Sequence, residues 1–223
     1  MVHAVLSADC SGVVAVLSFR ERWQAAQARS GGNLAIGIAP ALDKLPAAVA
    51  KIDDPFLPLG KLIINTTADL TCAYVFHLSA YLAIGAAGII ALERTLAYVP
   101  SGILKVLHAP FASAEYVRAA FEDALGADAV TLSSPDFAPP YLAQARHGAF
   151  VPHGATVSAA LSEQLGTYVQ NSDGTGKFWL ADLWLNWQFG AALYQTRTLA
   201  FEETLRAAAL ALRDSAAAAA AAT

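Results

Sequence analysis

Cysteine and charge are what this chain has least of. Its 223 residues include 2 cysteines, Cys10 and Cys72, too few for a disulfide scaffold or a cysteine-rich metal site. Only 14% of residues are charged, well under the roughly one quarter usual in soluble domains, which excludes a disordered, solvating chain. A formal net charge of −4 with no basic run removes the electrostatic basis for coating DNA or RNA. The sequence has no phosphate loop, no GxSxG elbow and no dinucleotide fingerprint, and its histidines match no zinc spacing. No metal and no cofactor is expected. The first residues lack the basic start and apolar core of a secretory signal, so the reading is of a cytoplasmic protein.

What the chain has in quantity is apolar surface: 56% hydrophobic residues and a mean hydropathy of +0.45. Thr71 to Leu92 is long enough to cross a bilayer, interrupted only by His77. Asp69 precedes the run, Glu93 and Arg94 follow it, and no basic cluster marks a cytoplasmic side. The run also changes period. CAYVFHL is short and rich in aromatic and branched residues, as a buried strand is, and Ser79 to Tyr98 then reads as a helix ending before Pro100. A strand and a helix are expected there, not a membrane span.

The same alternation recurs along the chain. The first seventeen residues lack a period and read as an arm. Ser18-Phe19-Arg20-Glu21 is a capping box for a helix to about Arg29, and Gly31-Gly32 ends it. Buried strands are expected at NLAIGIAP, TCAYVFHL, GILKVLHAP, ADAVTLSSP and GAFVPHGA. The intervening helices lie near Lys44 to Lys51, from about Gly60, from Ser79 and after Ser113, and a last one runs from Leu199 to Asp214. Alternating buried strands and helices at this length predict an α/β protein built as a single (β/α)8 TIM-type barrel over residues 1–215. The alanine run Ala216 to Ala222 is expected to fray as a tail. Between Leu165 and Arg197 the segments TYVQ, FWLADLWLNWQ and GAALYQT leave room for three strands but not for two crossover helices. The helices of the C-terminal third are therefore expected to be reduced or irregular.

Three stretches carry a resemblance: FRERWQAAQARSGGNLAIGIAP, NTTADLTCAYVFHLSAYLAIGAAGIIALERTLAYVP and YVRAAFEDALGADAVTLSSP. In this order, from about Phe19 to Val151, the chain resembles orotidine 5′-phosphate decarboxylase of the longer bacterial branch. The helix FEETLRAAALALRD is also similar. The resemblance implies a barrel, a homodimer and a site at the strands' carboxyl ends. It does not bring the family's charged groups with it. The family's Gly-Leu-Asp-Pro is here Gly37-Ile38-Ala39-Pro40, and the lysine of its Ala-Tyr-Lys-Pro is Val75. Its Asp-x-Lys-x-x-Asp falls on Lys105, Leu107 and Pro110. Arg197 stands where the resemblance places a phosphate-gripping arginine, and Thr156 where it places a substrate-contacting serine.

In such a barrel Ala39, Val75, Lys105 and Leu107 are expected to line one pocket, with His77 and His153 near its rim. Lys105, desolvated among leucines and valine, is the leading candidate for a base or Schiff-base nucleophile, against a bland reading in which its ammonium snorkels or pairs with Asp136. His77 and His153 are candidate acids or bases, each weighed against an ordinary structural histidine. His108 is expected to face the helix layer. Thr131, Ser133, Asp136 and Thr156 are candidate hydrogen-bonding groups, equally explicable as strand-end caps. Trp179, Trp184 and Trp187 could cover an apolar ligand or simply fill a core or a dimer contact. The function expected is that of a repurposed barrel enzyme of specialised metabolism, converting a neutral apolar small molecule by cofactor-free cyclisation, isomerisation or elimination. The rivals are a non-catalytic binding or scaffold protein and a residual orotidine 5′-phosphate decarboxylase.

Overall fold

A computed structural model describes residues 16–121, 124–172, 175–189 and 200–221. Eight strands close into a barrel in chain order: β1 (Leu34–Ile38), β2 (Ala73–His77), β3 (Leu104–Phe111), β4 (Ala129–Leu132), β5 (Gly148–Pro152), β6 (Leu165–Gln170), β7 (Thr175–Leu180) and β8 (Leu183–Phe189). The pairings from β1 to β6 are parallel, and β8 lies parallel against β1 to complete the ring. β7 runs the other way, antiparallel to both neighbours.

That reversal follows from chain length. Only residues 171–174 separate β6 from β7, and only Ala181 and Asp182 separate β7 from β8. Such links can reverse a strand but cannot carry it across the barrel for a parallel return. The stretch FWLADLWLNWQ is thus two strands folded about Ala181, whose φ of 51° makes the turn. The barrel keeps the eight-strand ring of the TIM type while short turns stand in place of helices between β6, β7 and β8. GAALYQT, expected as a strand, lies outside the described residues, as does most of the expected N-terminal arm.

The helices serve as an outer layer and a plug. α1 (Phe19–Ser30) begins with the expected capping box, Ser18 and Glu21 satisfying each other's backbone N–H groups. It closes the amino-terminal mouth: Phe19, Trp23 and Ala26 pack into the inner cluster with Phe150, Leu104 and Leu180. The rings of Phe19 and Trp23 lie 6.1 and 5.5 Å from that of Phe150. α2 (Phe56–Thr67) turns Phe56, Leu59, Ile63 and Ile64 toward the strands. The helix expected from Ser79 to Tyr98 is two, α3 (Leu78–Leu82) and α4 (Ala86–Tyr98), because Gly85 at φ 69° breaks it. The helix expected after Ser113 shrinks to a 3-10 turn and α5 (Val117–Ala120), and α6 (Ala138–Tyr141) is equally short. α7 (Phe201–Ala221) carries on through the alanine run that was expected to fray, as alanine's high helix propensity allows.

Inside and outside alternate strictly. Val75, Val106 and Trp187 belong to the inner cluster, and Tyr74, Phe76 and Leu107 belong to the layer between strands and helices. The inner wall has a notch at Gly176, where a Cβ would fall inside the Trp187 indole, and another at Gly148, which admits the ring of Phe19. Both Gly176→Ala and Gly148→Ala should therefore lower stability by about 1–3 kcal/mol through overpacking. Urea unfolding of each variant beside the wild type checks this.

Candidate functional site

The carboxyl ends of β2, β3 and β6 frame a cavity of about 330 Å³ lined by His77, Leu78, Ser79, Leu82, His108, Ala109, Pro110 and Gln170. It sits at the end of the barrel opposite the α1 plug. His77 is the last residue of β2, and His108 is its register partner on β3, so both imidazoles project to the inner side. Their ring centroids lie 4.5 Å apart. Trp187 of β8 supports both, stacked on His77 at 6.0 Å and edge-on to His108 at 5.2 Å. Tyr168 of β6 closes the far side of His108 at 5.6 Å. Thr131 Oγ1 of β4 lies 3.1 Å from His108 Nδ1, and Gln170 of β6 lines the same cavity as His108.

The electrostatics follow from burial. Desolvation pushes His108 down to about 4. Desolvation, reinforced by the neighbouring His108, pushes His77 down to about 2. Both rings are neutral at physiological pH. A neutral imidazole donates through one nitrogen and accepts through the other, so the pair can polarise or orient an uncharged polar group. Cys72 adds no nucleophile, since burial raises its thiol to about 12.

Several expected site residues lie elsewhere. Lys105 does not face the interior. Its register partner Tyr74 points outward to Thr67, and Lys105 shares that side, with its backbone N–H donating to Asp128 at 2.8 Å and its ammonium beside Gly126. The apolar neighbours Leu104 and Val106 take the inner positions and leave the lysine to the outer one. Leu107 likewise faces the helix layer. His108, expected outward, faces inward, so the expected alternation of β3 was off by one residue. His153 is exposed and packs on Trp179 with centroids 5.0 Å apart, away from the cavity lining.

Ser133 bonds the Phe111 carbonyl, Asp136 completes a turn with Ser134, and Thr156 is exposed. None of the three lines the cavity. Arg197 lies outside the described residues. Of the expected set, His77, Val75 and Thr131 are brought to the interior, and Ala39 packs at its edge. Gln170, Tyr168 and the inward His108 were missed. The alternation counted from Val106 would have found His108. The three tryptophans divide, with Trp187 inside and the register pair Trp179 and Trp184 outside.

Among the described residues no three His, Cys, Asp or Glu side chains stand together as a metal site, and no helix is long and apolar enough to cross a membrane.

No family model matches the chain. It is 37% identical over 143 residues to an orotidine 5′-phosphate decarboxylase of Thermomicrobium roseum, covering 60% of this chain and 50% of that protein. It is 35% identical over 141 residues to one of Herpetosiphon aurantiacus, covering 60% and 52%. Among solved structures, Leishmania donovani OMP decarboxylase matches with a TM-score of 0.52 at 26% identity, over 66% of this chain and 57% of that one. The UMP synthase of the same organism matches at 0.53 and 25%, over 66% and 32%. Over these stretches the chain is similar to orotidine 5′-phosphate decarboxylases. It spans about half the length of the relatives it matches.

Because both histidines titrate below their unfolded value of about 6.5, the unfolded chain takes up protons that the folded chain refuses. Stability should fall as pH drops below about 6.5, by up to about 1.4 kcal/mol per pH unit for each ring, until the folded values are reached. His147, also lowered by burial, adds in the same direction. Urea midpoints at pH 7 and pH 5 should differ more for the wild type than for a His77→Asn, His108→Asn double variant. Lys105→Ala, in contrast, should leave any ligand binding in the cavity unchanged, because its side chain lies on the other face of β3; calorimetric titration of a bound compound checks this.

Proposed function

We propose that this decarboxylase-like chain uses the cavity at its barrel mouth for an uncharged small molecule, which it holds and polarises through neutral imidazoles, with little turnover of orotidine 5′-phosphate. The observation that carries the reading is the inward pair His77 and His108, both kept neutral by burial. The cavity lining contains no carboxylate, ammonium or guanidinium among its described residues. A phosphate or carboxylate entering it would lose hydration without meeting a countercharge, which costs several kcal/mol. An uncharged carbonyl compound meets no such penalty and finds hydrogen-bonding groups at its oxygen.

Neutral imidazole is a feeble base but an effective polariser, because an N–H aimed at an oxygen stabilises the negative charge that develops there. The chemistry this suits is elimination, isomerisation or cyclisation of a compound whose carbonyl is already activated, with no cofactor. Orotidine decarboxylation in the family depends on a lysine among carboxylates. The positions that resemblance assigns to them hold Ala39, Val75, Lys105, Leu107 and Pro110 here, and the one cation among these points away from the barrel's centre.

A second reading, orotidine 5′-phosphate decarboxylase itself, is favoured by the name the relatives carry. The two separate in a direct assay. Loss of orotidine 5′-phosphate should be at least about a thousandfold slower than for the Thermomicrobium roseum relative measured alongside, since removing a single charge-stabilising group already costs 10²–10³-fold. A comparable rate overturns the proposal and establishes the second reading.

A further inference from the structure

Because β7 and β8 are joined by Ala181 and Asp182 alone, no crossover helix lies over their outer face. Between that face and α7 a second cavity opens, of about 240 Å³, which shares no lining residue with the one at the mouth. Trp187 points to the barrel's centre, so its neighbours Asn186 and Gln188 point outward and form the floor. Lys177, the register partner of Asn186 on β7, stands at one side, and Leu34 of β1 and Leu212 of α7 supply an apolar wall.

We propose that this cavity is a binding site for a small hydroxycarboxylate with an apolar tail, its carboxylate on Lys177 and its hydroxyl on Gln188. Lys177 is the one cation among the described lining residues, and no carboxylate is among them. Its ammonium rests 5.8 Å from the centre of the Trp184 ring and pairs with no acid among the described residues. The site therefore favours a single negative charge. Gln188 Oε1 is buried without a hydrogen-bond donor. An unmet acceptor of this kind is costly, and the terminal amide torsion is soft enough to turn the oxygen toward a donor arriving in the cavity. Lys177 and Gln188 are diagonal neighbours across the β7–β8 pair, a separation of about 7–8 Å between backbones that long side chains span. One small molecule can thus reach both. The volume lies below the roughly 300–1,000 Å³ of pockets for drug-sized ligands, which excludes a nucleotide. An ammonium in place of the hydroxyl would enter without a countercharge, so the donor is an uncharged one. This site is independent of the function proposed for the mouth.

Four compounds of one shape test it by calorimetric titration of the full chain. They are 2-hydroxy-4-methylpentanoate, 4-methylpentanoate without the hydroxyl, leucine with an ammonium there, and 2-hydroxy-4-methylpentanamide without the charge. The hydroxy acid should bind at least about tenfold more tightly than each of the others, the ratio expected for one hydrogen bond to an otherwise unmet or charged partner. Lys177→Met, at an exposed position, should abolish the preference for the acid over its amide. Gln188→Met should abolish the preference for the hydroxy acid over 4-methylpentanoate. In the ¹H–¹⁵N spectrum of the wild type the hydroxy acid should move the side-chain amides of Gln188 and Asn186. No binding of the hydroxy acid at millimolar concentration, or equal binding of all four compounds, overturns the proposal without recourse to any variant. So does a Lys177→Met protein that still prefers the acid to its amide, or a titration that moves His77 and His108 and leaves Gln188 in place.

Discussion

Trp187 joins the two ends of this barrel. Its indole occupies the notch left by Gly176, meets Phe178 edge-on at 4.7 Å and reaches the rings of His77 and His108 above. Phe178 in turn packs on Phe150 at 4.6 Å, and Phe150 rests on the α1 plug. A continuous aromatic column thus runs from the closed amino-terminal mouth to the cavity. It fills the volume that the barrel's centre must fill, since eight strands enclose a space that only side chains can occupy. The cost to the imidazoles is dehydration. Their low proton affinity results directly from resting on this column and not on water.

The same column explains how the stretch from β6 to β8 can dispense with helices. A parallel strand needs a crossover, and the crossover normally supplies the outer layer. With β7 reversed, the ring closes through two short turns, and the inner faces of β7 and β8 contribute Phe178, Leu180, Leu185 and Trp187 to the core. Their outer faces carry the exposed Lys177 and the half-buried Trp179, Trp184 and Asn186, with the Lys177 ammonium 5.8 Å from the centre of the Trp184 ring.

Much of this fold is legible in the sequence because burial on both faces writes itself as continuous apolar runs. NLAIGIAP, TCAYVFHL and GAFVPHGA are such runs, and each is a strand. The capping box at Ser18 is equally legible, since two side chains three residues apart determine it. The turn at Ala181 is not, because alanine gives no hint of a positive φ and the flanking apolar residues read as one segment. Parity is the harder problem. In a strand buried on both faces the hydrophobic pattern does not distinguish inner from outer, so GILKVLHAP alone cannot say whether Lys105 or Val106 faces the centre. The outcome depends on neighbours: Tyr74 finds Thr67 on the helix side, and its register partner Lys105 must follow.

That single-residue parity decides the chemistry open to the site. Had Lys105 and Leu107 faced inward, the barrel's centre would hold a cation with no counter-carboxylate among the described residues. With Val106 and His108 inward, the mouth holds two neutral rings, and the lysine instead lies near Asp128, whose carboxylate already accepts from the Lys105 backbone and pairs with Arg22 at 2.5 Å. The charged groups of this region are gathered on the outer side of β3 and β4, where water and partners meet their needs. The interior is left to groups that can hydrogen-bond without charge. The described barrel interior carries no fixed charge, and any selectivity it has must come from shape and from the direction of its hydrogen bonds.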